Sequence, residues 1–336
     1  MQNLQRRLNR QIFEKLLEDP EVLRTTRERT ANSTEPDARP HFSQEGVDFG
    51  TPVWPTTTPV LGSRKAFRIL EAVVRFAGRP VWRVIDDSVV ATGLTNEWSQ
   101  RAASALSSIS PTIRSVGCIE CAGTTTYHAI GSGFLVAPDV VVTNRHVAVI
   151  FAQRGRSSCR FRVQGSSHYR SRIDFARESE SNSRPDALFD LSAPLYIARA
   201  NEPDLALIKI DRRGAPVRNP VHLSDRLMPG QMIVVVGYPQ RDNRTNRIAE
   251  VNRVFEGIYG VKRAAPGEVM QVGLCRGSAF AHDCSTLGGN SGSAVVSVDD
   301  GSVVGLHFAG AEFWQNHAIN AAVILDRMDR LRIRLV

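Results

Sequence analysis

Three residues of this chain have the type and setting for nucleophilic chemistry: His146, Asp204 and Ser291. Ser291 lies in STLGGNSGSAVV, residues 285–296, where Gly288, Gly289 and Gly292 surround it and an apolar run follows. Glycines reach backbone conformations closed to other residues, so several N–H groups can be aimed at one point beside an exposed hydroxyl. Such a loop can also cradle a phosphate, but the lysine of G-x-x-x-x-G-K-[ST] does not follow. A serine hydroxyl is a poor nucleophile at neutral pH without a base in hydrogen-bond reach. His146 has the setting of such a base. The string GSGFLVAPDVVVTNRHVA, residues 131–148, runs an apolar strand into Thr143-Asn144-Arg145-His146, which holds the imidazole just beyond a strand end. Asp204 opens the strand Leu205 to Ile210 within EPDLALIKID, residues 202–211. A carboxylate there can turn inward and accept from an imidazole N–H. Taken singly, each residue has an ordinary structural use: a packed histidine, a turn-capping aspartate, a glycine turn.

Elements capable of positioning these residues are readable around them. From Pro111 onward, short β-branched runs alternate with Gly, Asn, Asp and Pro, as in DVVVTN, DLALIKID, QMIVVVGYP and SAVVSVDDGSVVGLHFAG. Many short strands separated by turn signals predict an all-β sandwich or barrel. Ala321 to Leu331 carries apolar residues at helical spacing and predicts a closing helix. Residues 149–203 make a long connection between His146 and Asp204, and its Arg- and Ser-rich part, Arg154 to Arg184, reads as a solvated insertion or a substrate-guiding loop.

Upstream, residues 1 to about 30 predict an amphipathic helix through Leu4, Leu8, Ile12, Phe13, Leu16 and Leu17. Residues 31–62, with five prolines among Ser, Thr and Asp, read as a linker. Phe67 to Phe76 predicts a helix ended by Gly78 and Pro80, residues 81–91 a hairpin, and Trp98 to Ile109 a further helix. The division expected is an amino-terminal extension, residues 1–110, and a catalytic domain, residues 111–336.

Bulk properties narrow the class. The chain has 336 residues, 42% hydrophobic and 23% charged, enough for a sizeable core. The formal net charge is +8, yet the arginines are scattered among acids, so charge gives no clear case for nucleic acid. The start lacks the apolar stretch of a secretory signal, and no run reaches the roughly 18 apolar residues of a membrane span. The expectation is a cytoplasmic protein without a membrane partner. Five cysteines are an odd number for a disulfide framework. Cys118 and Cys121 have metal-like spacing, but they read more simply as two strand residues, since no second close pair completes a zinc site.

The three strings in the order His, Asp, Ser resemble those of the trypsin-like serine protease superfamily. TNRHVA is similar to its Thr-Ala-Ala-His-Cys string, DLALIKI to Asp-Ile-Ala-Leu, and GGNSGSAVV to Gly-Asp-Ser-Gly-Gly-Pro. The Gly-Asn-Ser-Gly form resembles bacterial V8-like glutamyl endopeptidases and HtrA-like proteases. The resemblance covers residues 111–336 and implies two six-stranded antiparallel β-barrels with a C-terminal helix, preceded here by a partly helical extension. It implies Ser291 as nucleophile, His146 as base, Asp204 as the residue orienting it, and the N–H groups of Gly289 and Ser291 as the oxyanion hole. It implies a protein or peptide substrate and no metal or organic cofactor. The S1 pocket falls on Ser285, Thr286, His307 and His317. A serine at 285 argues against strict Arg or Lys preference, and Thr286 with an imidazolium at 307 would suit an acidic P1 side chain. Asn290 stands where zymogens of the family carry an aspartate, so activation by a cut near residue 115 is not expected. Residues 1–110 stay open between packing on the barrels, docking a regulatory partner, and plugging the cleft with Arg79 to Trp82. An inactive peptide-binding module on the same fold is the competing function. An esterase elbow is not present, because G-x-S-x-G is not formed around Ser291.

Overall fold

The computed structural model describes residues 79–90, 106–122, 127–164, 167–180, 184–212, 218–241, 248–311 and 315–334. They begin with a hairpin, β1 (Trp82–Ile85) and β2 (Ser88–Val90), then helix α1 (Leu106–Ile113). Strands β3 (Val116–Ala122), β4 (His128–Ala137) and β5 (Val140–Thr143) lead into helix α2 (Arg145–Phe151). Two short hairpins follow, β6 (Ala152–Arg154) with β7 (Cys159–Phe161) and β8 (Val163–Gln164) with β9 (Ser167–His168). Then come β10 (Arg170–Asp174), β11 (Leu188–Ile197) and β12 (Ala206–Ile210). The second half holds β13 (Met232–Gly237), α3 (Ile248–Phe255), β14 (Arg263–Leu274), β15 (Ala279–His282), β16 (Ala294–Ser297), β17 (Val303–Ala311), β18 (Gln315–Asn320) and α4 (Ala321–Arg330).

Both halves are six-stranded antiparallel barrels, as the family resemblance implies. The first closes in the order β10-β11-β12-β5-β4-β3. The second runs β13-β16-β17-β18-β15-β14 and closes where β13 pairs again with β14. Side chains alternate across a strand with period two, and this divides the apolar runs between two destinations. Val141 packs inside the first barrel with Ile119, Leu135 and Ile208. Ile233, Val235 and Val295 fill the second with Phe280 and Val304. The alternate residues, Val140 and Val142 from one barrel and Val234, Val236 and Val296 from the other, share a third core with Ile324 and Met328 of α4. These strands are buried on both faces, which is why they read as unbroken apolar runs rather than alternating ones.

Two expectations change. The stretch from Arg154 to Arg184 is not wholly a solvated insertion, because it contains β10, a barrel strand. In RSRID the arginines face outward while Ser171 and Ile173 are buried, a period-two pattern that the density of arginine hides. The hairpins β6–β7 and β8–β9 are the added part. The hairpin predicted over 81–91 forms, turning at Asp86 and Asp87 with φ of 48° and 60°, the left-handed pair that a two-residue hairpin loop requires. It extends the second barrel's sheet, with Trp82 opposite Ala264 on β14. Trp82 is wholly buried, so residues 79–82 run into a sheet strand and are not a peptide laid in the cleft. The helices expected over 1–30 and 67–76, and the linker over 31–62, lie outside the described residues. Of the helix expected over 98–109, residues 106–109 fall in α1, which continues to Ile113. No helix among the described residues is long and apolar enough to cross a membrane. Cys118 and Cys121 lie on opposite faces of β3, one in the shared core and one inside the first barrel, so their spacing does not bring the two thiols to one point.

Candidate active site

The first barrel supplies an imidazole and a carboxylate. Strand β5 ends at Thr143, and His146 is the second residue of α2, so the strand end sets its position. The first N–H groups of a helix have no partner within it. Asp204, just before β12, supplies one: its Oδ1 accepts from the His146 backbone N–H at 3.0 Å. Its Oδ2 lies 2.5 Å from His146 Nδ1. The side chain of Asn144 donates to the Asp204 carbonyl at 3.0 Å, closing the corner. A buried carboxylate is tolerated when it is hydrogen-bonded in this way. The imidazole is fully buried, and its Nε2 has no hydrogen-bond partner among the described residues.

The second barrel supplies Ser291, on the loop between β15 and β16. Two tight turns bracket it: Asn290 N donates to Leu287 O at 3.1 Å, and Ser293 N to Asn290 O at 2.9 Å. Gly289 and Gly292 both have φ of 91°, which favours glycine. A Cβ at Gly292 would also overlap the carbonyl oxygen of Ser132. The loop is tied to β17 by Gly292 N to His307 O at 2.9 Å and His307 N to Ser293 O at 3.0 Å. Among the described residues, the amides of Gly289 and Ser291 donate to no protein acceptor. A Cβ built at Gly131 would sit 2.8 Å from the Val147 side chain and 3.0 Å from the Ser291 carbonyl oxygen. The nucleophile loop therefore lies against the helix that carries His146. No hydrogen bond joins Ser291 Oγ to Nε2 of His146.

The residues expected at the S1 pocket gather on β17, β18 and the segment after β15. Ser285 and Thr286 are buried, and Thr286 Oγ1 donates to Asn316 Oδ1 at 2.8 Å. His307 and His317 lie on β17 and β18 and are buried. A third histidine, His282 on β15, completes the group: its Nε2 is 3.2 Å from His307 Nδ1, and the two rings meet edge to face at 5.3 Å. Burial, with His317 and His146 nearby, pushes the His307 imidazole down to about 3. Burial and the neighbours His307 and His317 hold His282 far below the usual range too. The imidazolium expected at 307 is thus a neutral imidazole in the free protein.

Position 282 had no sequence signal, being one histidine at the end of an apolar run; only the strand pairing assembles the group. A second feature without local signal is the partner of Asp283. Arg79, from before β1, places Nη2 2.5 Å from Asp283 Oδ2, while Oδ1 accepts from Glu268 N at 2.7 Å. Asn290 is buried, and its Oδ1 accepts from Ser293 Oγ at 3.2 Å, so a neutral internal contact occupies it. The segment Arg114 to Gly117 is built into the fold: Ser115 N donates to Thr112 O, Leu135 N donates to Ser115 O, and Val116 is fully buried at the start of β3.

The model of the trypsin-like peptidase domain matches residues 131–306, a span that includes His146, Asp204 and Ser291. No curated protein matches the chain. Among solved structures, it is similar to Rv3671c from M. tuberculosis H37Rv, crystallised as a serine-to-alanine mutant in an inactive form. The identity is 16% and the TM-score 0.42, over 67% of this chain and 91% of that one. With the family model covering more than half of its length, this chain belongs to the trypsin-like peptidase domain family.

Proposed function

We propose that this chain is a serine endopeptidase in which Ser291 is the nucleophile, His146 the general base and Asp204 the residue that orients it. The observation that carries the reading is the double grip of Asp204 on His146. One carboxylate oxygen takes the backbone N–H and the other faces Nδ1, while Nε2 is left without a partner beside the loop of Ser291. Ser291 Oγ bonds to the scissile carbonyl carbon as its proton passes to Nε2. The oxyanion accepts from the amides of Gly289 and Ser291. The C–N bond breaks, His146 returns the proton to the leaving amine, and water releases the acyl group by the same route. The reaction draws on no metal or organic cofactor. Within the family, the Gly-Asn-Ser-Gly string favours a V8-like or HtrA-like relationship.

Strict Arg or Lys specificity is disfavoured, because Ser285 stands at the expected pocket base and the nearby carboxylate of Asp283 is already paired with Arg79. His282, His307 and His317 favour an acidic P1 residue, with His307 as donor. A second reading, a restrained enzyme or peptide-binding module, is favoured by the missing contact between Ser291 Oγ and Nε2. Such contacts tighten in many proteases only when substrate binds. Residues 1–110 are the candidate for restraint and for docking a regulatory partner, and residues 111–336 are the candidate catalytic domain. The test is cleavage of a diverse peptide mixture by the full chain, with Ser291→Ala as control and P1 read by mass spectrometry. Cleavage that survives in Ser291→Ala would sink the mechanism. Silence of both proteins would favour the second reading.

A further inference from the structure

Ser132 lies on β4 of the first barrel, fully buried, yet three of the four hydrogen bonds identified for it among the described residues reach the second barrel. Its N–H donates to Ser291 O at 2.8 Å. Its Oγ donates to Gly289 O at 2.9 Å and accepts from Tyr238 N at 3.1 Å. Its carbonyl accepts from Thr143 Oγ1 at 2.7 Å, three residues before His146. The Tyr238 amide, an obligate donor, occupies a lone pair of the hydroxyl, which leaves the hydroxyl proton for Gly289 O. The glycines around Ser132 are there for approach: Gly131 lies against Ser291, and any side chain at Gly292 would collide with Ser132.

Four successive carbonyls of the nucleophile loop have identified partners. Gly288 O accepts from Gln240 N at 2.6 Å, Gly289 O from the Ser132 hydroxyl, Asn290 O from Ser293 N, and Ser291 O from Ser132 N. In a trans peptide, N–H and C=O point in opposite directions. Tying the Gly288 and Asn290 carbonyls therefore turns the Gly289 and Ser291 amides the other way. Ser132 pins the two remaining peptides of the run. Together these observations motivate a role that rests on the proposed protease reading. We propose that Ser132 is a positioning residue that holds the oxyanion amides in register from the opposite barrel, with its hydroxyl as the directional part.

The test compares wild type, Ser132→Ala and Ser291→Ala in the full chain, using a cleavable peptide and a fluorophosphonate titrant that counts competent sites. Expected for Ser132→Ala is a kcat per titrated site lower by about 10–100-fold, the scale of weakening an oxyanion donor, with KM within about twofold. The affinity for a peptide aldehyde, which forms a tetrahedral adduct on Ser291, falls in proportion to kcat/KM. A purely structural role would lower the titrated fraction and leave kcat per site intact, and that result overturns the proposal. If Ser132→Ala is unfolded by circular dichroism, Ser132→Cys decides by the same criterion, since it fills the space and donates weakly. Cleavage by wild type that vanishes in Ser291→Ala keeps the protease reading standing whatever Ser132 does. Without such cleavage both fall.

Discussion

The Nζ of Lys262, immediately before β14, lies 2.9 Å from Glu178 Oε1, which follows β10 on the other barrel, and both side chains are buried. The same ammonium is 3.3 Å from Asp87 Oδ1 in the β1–β2 turn and donates to Phe175 O at 2.7 Å. Asp87 in turn donates its N–H to Glu178 Oε2 at 3.1 Å. One buried cation thus joins the amino-terminal hairpin to both barrels. Burial pulls the lysine down, and the two carboxylates oppose that pull. Removing one partner of a buried ionic group costs about 3–5 kcal/mol. Asp87 keeps Arg218 at 3.7 Å, Arg184 at 3.8 Å and Arg114 at 3.9 Å, so the charge that loss of Lys262 chiefly strands is Glu178. Lys262→Met is expected to lose stability on that scale in urea unfolding. A loss under 1 kcal/mol would show that the cluster is not a clasp.

The hairpin itself carries Trp82, wholly buried in the core that the two barrels share, and follows Arg79, which holds Asp283. A chain beginning at residue 79 keeps both, and one beginning at residue 105 loses both. Exposing a large aromatic site costs about 3–5 kcal/mol. The shorter chain is therefore expected to unfold at lower temperature than the longer one. If the shorter chain is as stable and more active, the hairpin restrains the enzyme rather than supporting it.

Asp204 offers a sharper probe of mechanism than His146, since its amide keeps the shape. In Asp204→Asn the carboxamide can satisfy the His146 amide through its oxygen while its NH2 group faces Nδ1. The imidazole would then adopt the tautomer whose Nε2 bears the proton and is not a base. A fall in kcat of about 10⁴-fold at neutral pH is expected, measured per titrated site. A fall of less than tenfold would remove Asp204 from the proposed triad.

How much of this was legible in the chain follows from what each feature depends on. The strands around Val141 and Val235, the hairpin at Asp86–Asp87 and the closing helix rest on local periodicity and turn chemistry, so they are readable. Strand β10 escaped notice because its outward face is arginine. The strings holding His146, Asp204 and Ser291 were conspicuous one by one. Their mutual geometry depends on contacts between distant segments, such as Ser132 with Ser291. The partners of His282 and Asp283 likewise lie far away, on β17 and before β1, and no local pattern announces them.

His282 and His307 also set a dependence of stability on pH. Unfolded, each titrates near 6.5; folded, His307 stays neutral down to about 3 and His282 lies well below the ordinary value. Above about pH 7 neither state binds the proton, so nothing is lost. As pH falls from 6.5 toward 3, the unfolded chain takes up protons that the folded one refuses, and stability declines. One such histidine contributes roughly 1.4 kcal/mol per pH unit across that window. His282→Gln is expected to flatten the decline by about one proton when unfolding free energies are compared at pH 7, 6 and 5. An unchanged slope would mean that His282 is protonated in the folded protein.

The neutral state of His307 also makes the acidic P1 reading testable through protons. A carboxylate brought beside the imidazole stabilises the imidazolium and raises its pKa. Binding a P1 glutamate would then be coupled to proton uptake, whereas a P1 glutamine gives no such drive. The ratio of kcat/KM for matched Glu and Gln peptides is expected to rise as pH falls from 8 to 5, by up to about tenfold per unit where one full proton is taken up. Taking the ratio cancels the titration of the catalytic base, which both substrates share. In His307→Gln the ratio should flatten with pH. A ratio already flat in wild type would leave recognition of an acidic side chain to neutral donors or exclude it, and a ratio below one at every pH would exclude it outright.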